Sequence, residues 1–284
     1  MKLPPRVRVH KFARYYYCAE ESRLRIMGVQ PFYKEGPLDT RSPIVKGNAM
    51  DSWLKERPRD PSELILMSKL NKFAQERGWV QPDEFRGTGT DFYFPRSIEY
   101  KAPGSRVYDL PGTEIDSYTA TMEIAAHPDD FTVVWRETTV EDAELDMKRV
   151  PFTQIVEYKS TEELMDGEYP WFKRSQAEFQ LKLYGWVMHP LLKEMGEIMD
   201  KQMWLRVYSF NGLLLKSYSV MYPGDEQIEK EIRYIIDVWS GKEDPIIPNE
   251  FKCKVCNHSF KLGENPQKEG CRIWASNYTF GIRK

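Results

Sequence analysis

The stretch QIVEYKST at residues 154–161 constrains the fold most, because it has the composition of a strand yet carries two opposite charges. Side chains alternate along a strand, so Glu157 and Lys159 share one face, and Val156 and Tyr158 share the other. Two charges on one face of a central strand are costly unless they pair or do chemistry. Two interpretations remain open at this point: a functional pair, or a surface ion pair on an edge strand, which would contribute little to stability.

The order of predicted elements around this strand favours an α/β fold in which helices flank a mixed sheet. Helices are predicted at 44–56, 60–78, 170–189 and 225–240, and strands at 117–126, 131–137 and 152–160. A hairpin is predicted around Asn211-Gly212, because this dipeptide separates two alternating apolar runs. Residues 79–115, rich in Gly, Pro and Asp, are predicted to be an insertion or a long loop.

The predicted helix at 60–78 has signals at both ends. Asp60 is a good N-cap, Pro61 suits the first turn, and Gly78 suits the stop. The helix at 225–240 has apolar residues at helical spacing and a stop at Gly241. These two helices are therefore predicted on capping and periodicity together.

The bulk composition suits a globular chain of one large domain with extensions, or of two small domains. The 284 residues are 41% hydrophobic and 30% charged. No apolar run reaches 18 residues, which predicts no membrane span, and the basic N-terminus lacks the apolar core of a secretory signal. We therefore expect a cytoplasmic protein without membrane partners.

Positive charge is concentrated at the two ends of a chain whose net charge is −2. Residues 1–30 and residues 251–284 each contain seven Lys or Arg and two Glu, a net charge of +5 at each end. Aromatic residues lie among these charges: Phe12, Tyr15, Tyr16, Tyr17, Trp274, Tyr278 and Phe280. Basic and aromatic residues together suit single-stranded nucleic acid. The alternative is that both ends are simply solvated basic arms.

Four cysteines lie near the same two ends, at Cys18, Cys253, Cys256 and Cys271. The CxxC pair suggests metal or redox chemistry in a cytosolic protein. A local zinc site would use the last three with His258 and omit Cys18. An iron–sulfur site would use all four cysteines and bring the C-terminal segment onto the N-terminus. Four unrelated buried cysteines remain the simplest alternative.

A carboxylate upstream could complete a site with the charged strand. Asp129 and Asp130 stand at the start of the strand predicted at 131–137. A strand-entry Asp beside Glu157 could hold Mg²⁺ or Mn²⁺ through oxygen ligands. Lys159 could then stabilise charge that develops on a phosphodiester. Glu114 and Asp116 are a weaker alternative for the upstream carboxylate.

The pattern of Asp129, Glu157 and Lys159 resembles the PD-(D/E)XK nuclease superfamily. Gln180 and Tyr184, in QLKLY on the following helix, match the QxxxY motif of its RecB-like branch. One cysteine near the start and three near the end resemble the CRISPR-associated RecB-like exonuclease family and its viral relatives. The segment from Cys18 to Gly28 also resembles that family's opening turn. The likeness runs from about residue 14 to residue 272.

This resemblance implies a restriction-endonuclease-like core over residues 1–250 and an iron–sulfur-binding segment over residues 251–284. The implied activity is a Mg²⁺- or Mn²⁺-dependent exonuclease acting on single-stranded DNA ends. Lys159, Glu157, Asp129, Gln180 and Tyr184 would be its site residues. The four cysteines would hold a structural cluster, 4Fe-4S in the family.

The resemblance leaves the biological setting open. Antiviral CRISPR adaptation, viral replication and DNA repair are all compatible with it. The implied protein partners are a CRISPR integrase or replication and repair proteins. A homo-oligomer is a further alternative.

The sequence departs from the family pattern at two metal-binding motifs. Gly47 to Asp51 matches the spacing of GxxxH, but Asp51 replaces the histidine, so Asp51 becomes the third predicted metal ligand with Asp129 and Glu157. Ala126 replaces the glycine of GxxD, and a shift of one residue would make Asp130 the ligand. His127 is a minor alternative. Fourteen residues separate Cys256 from Cys271, more than is usual in the family.

Two other functions remain open. The altered GxxxH motif would also suit a nucleic-acid-binding protein that keeps the nuclease fold but cleaves weakly or not at all. A zinc-containing interaction protein is the third hypothesis, in which Glu157 and Lys159 form an ordinary ion pair.

Overall fold

The computed structural model describes residues 3–16, 18–26, 28, 46, 50, 53–54, 57–79, 93–102, 118–138 and 148–243. The chain divides into two compact units, each assembled from separate stretches. Unit 1 comprises Met1–Pro37, Arg96–Ile124 and Glu226–Lys284, and unit 2 comprises Leu38–Pro95 and Ala125–Asp225. The segment at 251–284 lies outside the described residues, so the predicted boundary at residue 250 stays a prediction.

The described elements make a mixed α/β protein with two sheets and flanking helices. In chain order they are β1 (Arg6–Arg8), α1 (Val9–Ala13), a 3₁₀ turn (Arg14–Tyr16), α2 (Ala19–Ile26), α3 (Pro61–Glu76), β2 (Phe94–Ala102), β3 (Tyr118–Ala126), β4 (Asp130–Thr138), β5 (Lys148–Thr161), α4 (Trp171–Glu194), β6 (Gln202–Ser209), β7 (Leu214–Met221) and α5 (Asp225–Ser240).

The smaller sheet has three strands in the order β1-β3-β2. α5 buries the apolar stripe that its sequence predicts, including Ile228, Ile232 and Trp239. The ring of Phe12 lies 4.4 Å from the ring of Trp239, centroid to centroid. Phe12 and Tyr15 are therefore core residues of unit 1. Their buried rings are not available to stack on the bases of a nucleic acid, as the basic and aromatic N-terminus had suggested.

The larger sheet, in unit 2, has the order β4-β5-β6-β7. β4 pairs antiparallel with β5, β5 pairs parallel with β6, and β6 pairs antiparallel with β7. The mixed sheet is thus confirmed. β5 has a neighbour on each side, which makes the interpretation of Glu157 and Lys159 as a surface pair on an edge strand wrong.

α4 lies on the face of β5 that carries Glu157 and Lys159, since Gln180 contacts Glu157, and α4 contributes several large buried side chains. Phe179, Leu183 and Trp186 are almost fully buried. Gly185 permits a close approach to β7's end, because a Cβ there would lie only 2.7 Å from the Tyr222 ring. On the other face of β5, Val156 and Tyr158 form a buried cluster with Met50 and Leu54.

The capping signals of α3 act as predicted. Asp60 accepts a hydrogen bond from the Glu63 backbone N–H at 3.0 Å, and Pro61 is the first helical residue. Gly78 follows the helix with a φ of +67°, a conformation that favours glycine. The predicted hairpin also forms, with Gly212 at a φ of +90° between β6 and β7.

Two boundary predictions were wrong. The stretch 79–115 was predicted as an insertion or a long loop, and the long loop is wrong because the stretch contains the nine-residue strand β2, whose alternate side chains Ile98, Tyr100 and Ala102 are buried. α4 was predicted to end at residue 189, but it continues through Pro190 to Glu194. Burial of Leu191 and Leu192 stabilises this last turn although Pro190 cannot donate a backbone hydrogen bond.

The predicted helix at 44–56 lies mostly outside the described residues. Within the described ranges, no helix is both long enough and apolar enough to cross a membrane.

Candidate active site

β5 brings Glu157 and Lys159 to the sheet face that α4 covers. Glu157 is 0% exposed, whereas the Lys159 side chain keeps 29% of its surface exposed. The Lys159 ammonium donates to Glu157 Oε1. The pair therefore combines a fully desolvated carboxylate with a lysine whose side chain is partly exposed.

α4 adds Gln180 and Tyr184, one helical turn apart. Gln180 Nε2 lies 2.8 Å from Glu157 Oε1 and 2.8 Å from the Tyr184 hydroxyl. Lys159 Nζ lies 3.5 Å from Gln180 Oε1. Gln180 and Tyr184 are both buried, so these two polar side chains do not lie on the solvent face of the helix.

Asp129 joins the group because it lies just outside the paired residues of β4 and β5. The last register pair at this end is Asp130 with Val156. Beyond it, the Tyr158 backbone N–H donates to Asp129 Oδ2 at 2.8 Å instead of to a strand carbonyl. This bond places the Asp129 carboxylate beside the segment Glu157–Lys159.

The electrostatics of the group are unbalanced. Burial raises the pKa of Glu157 well above its ordinary value of 4.5, and the nearby Asp129 carboxylate raises it further, while Lys159 opposes both effects. Burial alone would lower the pKa of Lys159, but Glu157 and Asp129 outweigh that effect and raise it. Lys159 is therefore a cation at neutral pH, and two carboxylates compete for its charge.

Asp130, the alternative ligand, points into a different environment. Its Oδ1 accepts from Arg59 Nη1 at 2.5 Å and from the Phe131 backbone N–H at 2.8 Å. Its Oδ2 accepts from Arg57 Nε at 2.9 Å and from the Tyr158 hydroxyl at 2.6 Å. Four donors satisfy this carboxylate, so Asp129 is the better candidate ligand.

The described residues supply two of the oxygen ligands that a divalent cation would use. Among the described residues, Glu157 Oε2 is buried with no hydrogen-bond partner. The carboxylate oxygens Glu63 Oε2 and Glu123 Oε1 also lack a hydrogen bond, but each forms an ion pair with an arginine, whereas the Lys159 ion pair of Glu157 is made by Oε1; a cation would fit as the partner of Glu157 Oε2. Asp129 and Glu157 therefore fit Mg²⁺ or Mn²⁺. Within the described ranges, no group of three or more His, Cys, Asp or Glu side chains could hold a metal ion.

Several predicted residues lie outside the described ranges. These are Asp51, Glu114, Asp116, Cys253, Cys256 and Cys271. Cys18 is described: it is buried just before α2, and its Sγ accepts a hydrogen bond from the Glu21 backbone N–H at 3.3 Å. His127 lies between β3 and β4.

Three residues near the site were missed from the sequence. Arg57 and Arg59 reach Asp130 from positions more than 70 residues earlier, and such a pairing leaves no local pattern. Tyr169 is buried between β5 and α4. Its pKa is raised by burial; Lys159 lowers it and Glu157 raises it, which shows that the phenol senses both charges.

Comparison with known proteins adds little. No protein-family model matches the sequence, and no curated protein matches it. A crystal structure of a protein called SSO0001 aligns with 95% of this chain and 90% of that chain, at 14% sequence identity and a TM-score of 0.37. A likeness at that TM-score carries no argument about fold or function.

Proposed function

We propose that this protein is a Mg²⁺- or Mn²⁺-dependent deoxyribonuclease that digests single-stranded DNA from its ends. The observation that carries the proposal is the group of Asp129, Glu157, Lys159, Gln180 and Tyr184 in unit 2, of which Glu157, Gln180 and Tyr184 are buried. Its residue types and order match the RecB-like branch of the PD-(D/E)XK nucleases. A restriction-endonuclease-like core is part of the same proposal.

Asp129 and Glu157 are the residues that would hold the cation. When bound, the cation would lower the pKa of a water molecule and offset charge on a phosphoryl oxygen. Gln180 and Lys159 both donate to Glu157 Oε1, which leaves Oε2 for the cation. Tyr184 contacts the Gln180 amide and so orients it.

Lys159 has a separate role in this proposal. Its raised pKa keeps it protonated, so it acts as a fixed positive charge and a hydrogen-bond donor, not as a base. Its side chain is partly exposed, and its ammonium would contact the phosphodiester and stabilise the negative charge that develops there. The buried Glu157 carboxylate holds the Lys159 ammonium in place, so this side chain needs little rearrangement during the reaction.

The complete burial of Glu157 disfavours the interaction-protein hypothesis. An ordinary ion pair has little reason to desolvate a carboxylate on a central strand and leave one oxygen unsatisfied. A protein that binds DNA without cleaving it keeps the same fold and is distinguished by experiment.

Digestion of single-stranded DNA labelled at either end tests the proposal. We expect metal-dependent loss of the labelled strand in Mg²⁺ or Mn²⁺, and a rate lowered by about 100-fold or more in Lys159→Ala. Lys216→Ala is the matched control, because Lys216 also pairs with a glutamate of unit 2 but on the surface. If the wild type binds DNA but leaves it intact in both metals, the protein is a DNA-binding protein and not a nuclease. If Lys159→Ala and Lys216→Ala digest DNA at the same rate, Lys159 has no role in the reaction.

The iron–sulfur cluster is a second part of the proposal. Cys18 would be one ligand, with Cys253, Cys256 and Cys271 as the others. The buried Sγ of Cys18 already accepts a backbone N–H, which suits a thiolate ligand. A 4Fe-4S cluster held in this way would be structural, in a protein that acts in the cytoplasm.

Iron and sulfide analysis of protein purified without oxygen tests the cluster. We expect iron and sulfide in the wild type and loss of both in Cys18→Ser, while Ser22→Ala in the adjacent helix α2 retains them. Bound zinc without iron, unchanged in Cys18→Ser, would favour a local zinc site at the C-terminus.

A further inference from the structure

A second network of buried charges lies on the face of β5 opposite Glu157. Its centre is Asp130, whose side chain is fully buried and receives Arg57 and Arg59. Arg57 also pairs with the Glu63 carboxylate at 2.9 Å, which ties the network to the first turn of α3. No residue of this network belongs to the proposed active site.

Tyr158 connects this network to the active site. Its hydroxyl donates to Asp130 Oδ2 at 2.6 Å, and its backbone N–H donates to Asp129 Oδ2 at 2.8 Å. Tyr158 also stands between Glu157 and Lys159 in sequence. One residue therefore holds both successive aspartates, each through a different group.

The start of β4 presents its two aspartates differently, because the arginines bind Asp130. Asp130 is the first residue of β4 and pairs with Val156 of β5, so its side chain and that of the preceding Asp129 leave the chain on opposite sides. The two arginines neutralise Asp130, which leaves Asp129 as the carboxylate that faces Glu157. Loss of either arginine would leave a buried charge undercompensated and release this end of β4.

We propose that Arg57, Arg59 and Asp130 are positioning residues that fix the Asp129 carboxylate through Tyr158. The effect on metal binding rests on the proposed function, but the effect on the Asp129–Tyr158 hydrogen bond does not. The network selects Asp129 over Asp130 as the carboxylate presented to a cation.

The unit offers a matched control network on the same sheet. Asp200 is also buried, and it pairs with Arg136 and accepts from Gln154 Nε2 at 2.8 Å and from the Gln202 backbone N–H at 3.0 Å. Substitution there removes a comparable buried interaction without touching Asp129 or Tyr158.

Two measurements on Arg59→Lys and Asp130→Asn, with Arg136→Lys and Asp200→Asn as controls, test the proposal. The first is hydrogen exchange of the Tyr158 backbone amide, followed by NMR without metal. The second is the Mn²⁺ concentration that gives half-maximal digestion of single-stranded DNA. Arg59→Lys is the conservative variant, which keeps the positive charge if Asp130→Asn fails to fold.

We expect faster exchange of the Tyr158 amide and a roughly ten-fold higher half-saturating Mn²⁺ concentration in the Asp130 and Arg59 variants. The rate at saturating Mn²⁺ should stay near that of the wild type, and both controls should resemble the wild type in both measurements. A purely stabilising network would instead lower the melting temperature in all four variants and leave the other readouts unchanged.

The two proposals fail in different ways. If the wild type neither digests DNA nor responds to Mn²⁺, the proposed function is wrong, and the exchange data still decide the positioning role. If the Tyr158 amide exchanges equally in test and control variants, the positioning role is wrong even in an active nuclease.

Discussion

Two buried carboxylates lie on opposite faces of β5, and they differ in how their charge is balanced. Asp130 accepts four hydrogen bonds, two of them from arginines. Glu157 is equally buried, yet among the described residues its Oε2 has no hydrogen-bond partner, and its pKa is raised by burial and then by the nearby Asp129 carboxylate. A balanced buried charge supports the fold, whereas an unbalanced one indicates chemistry.

The largest expected effect is on stability, and it distinguishes Asp130 from Asp129. Asp130→Ala should lower the free energy of unfolding by about 3–5 kcal/mol, because Arg57 and Arg59 lose their buried partner. Asp129→Ala should cost about 1 kcal/mol, because it removes one hydrogen bond acceptor from Tyr158. Urea unfolding followed by circular dichroism measures both. Equal losses of unfolding free energy in the two variants would contradict the view that the Asp130 carboxylate is the one that supports the fold.

The next effect concerns the metal. Mn²⁺ at 100 times its dissociation constant should raise the free energy of unfolding of the wild type by about 2.7 kcal/mol. Glu157→Gln should remove most of this gain, because it removes one of the two carboxylates that face the cation. Asp200→Asn should retain the gain. If Glu157→Gln is stabilised as much as the wild type, the cation binds elsewhere.

The third effect, the smallest when taken for a single pH unit, is a dependence of stability on pH in the absence of metal. Because the pKa of Glu157 is raised in the folded state, its contribution to stability is complete below about the ordinary value of 4.5 and is lost as pH rises through the raised value. Relative to Glu157→Gln, the wild type should lose about 1.4 kcal/mol for each pH unit crossed between the two pKa values. Chemical unfolding at a series of pH values measures this difference, and parallel curves would show that Glu157 is not perturbed.

Local patterns in the sequence predicted most elements of unit 2. Strand alternation placed Glu157 and Lys159 on one face, and helical spacing placed Gln180 and Tyr184 together, as the structure shows. Asp60 and Asn211-Gly212 predicted a helix start and a hairpin. In each case the signal lies within a few residues, so propensity and geometry agree.

Features that depend on distant contacts were not predicted. Gly, Pro and Asp residues around β2 made its segment look like a loop in the sequence. Its strand is stabilised by burial in a sheet, which no local pattern shows. The basic N-terminus concealed core residues such as Phe12. The choice between Asp129 and Asp130 required the position at which β4 begins, and the partners Arg57 and Arg59 come from a separate segment of the chain.

The most direct test of the unbalanced site is a crystal structure of the protein with Mn²⁺, using anomalous scattering to locate the ion. We expect one anomalous peak between the Asp129 and Glu157 carboxylates, within coordination distance of Glu157 Oε2, and none beside Asp130. A map without a peak at Glu157, under conditions in which Mn²⁺ binds elsewhere, would contradict the assignment of this group as a metal-dependent active site.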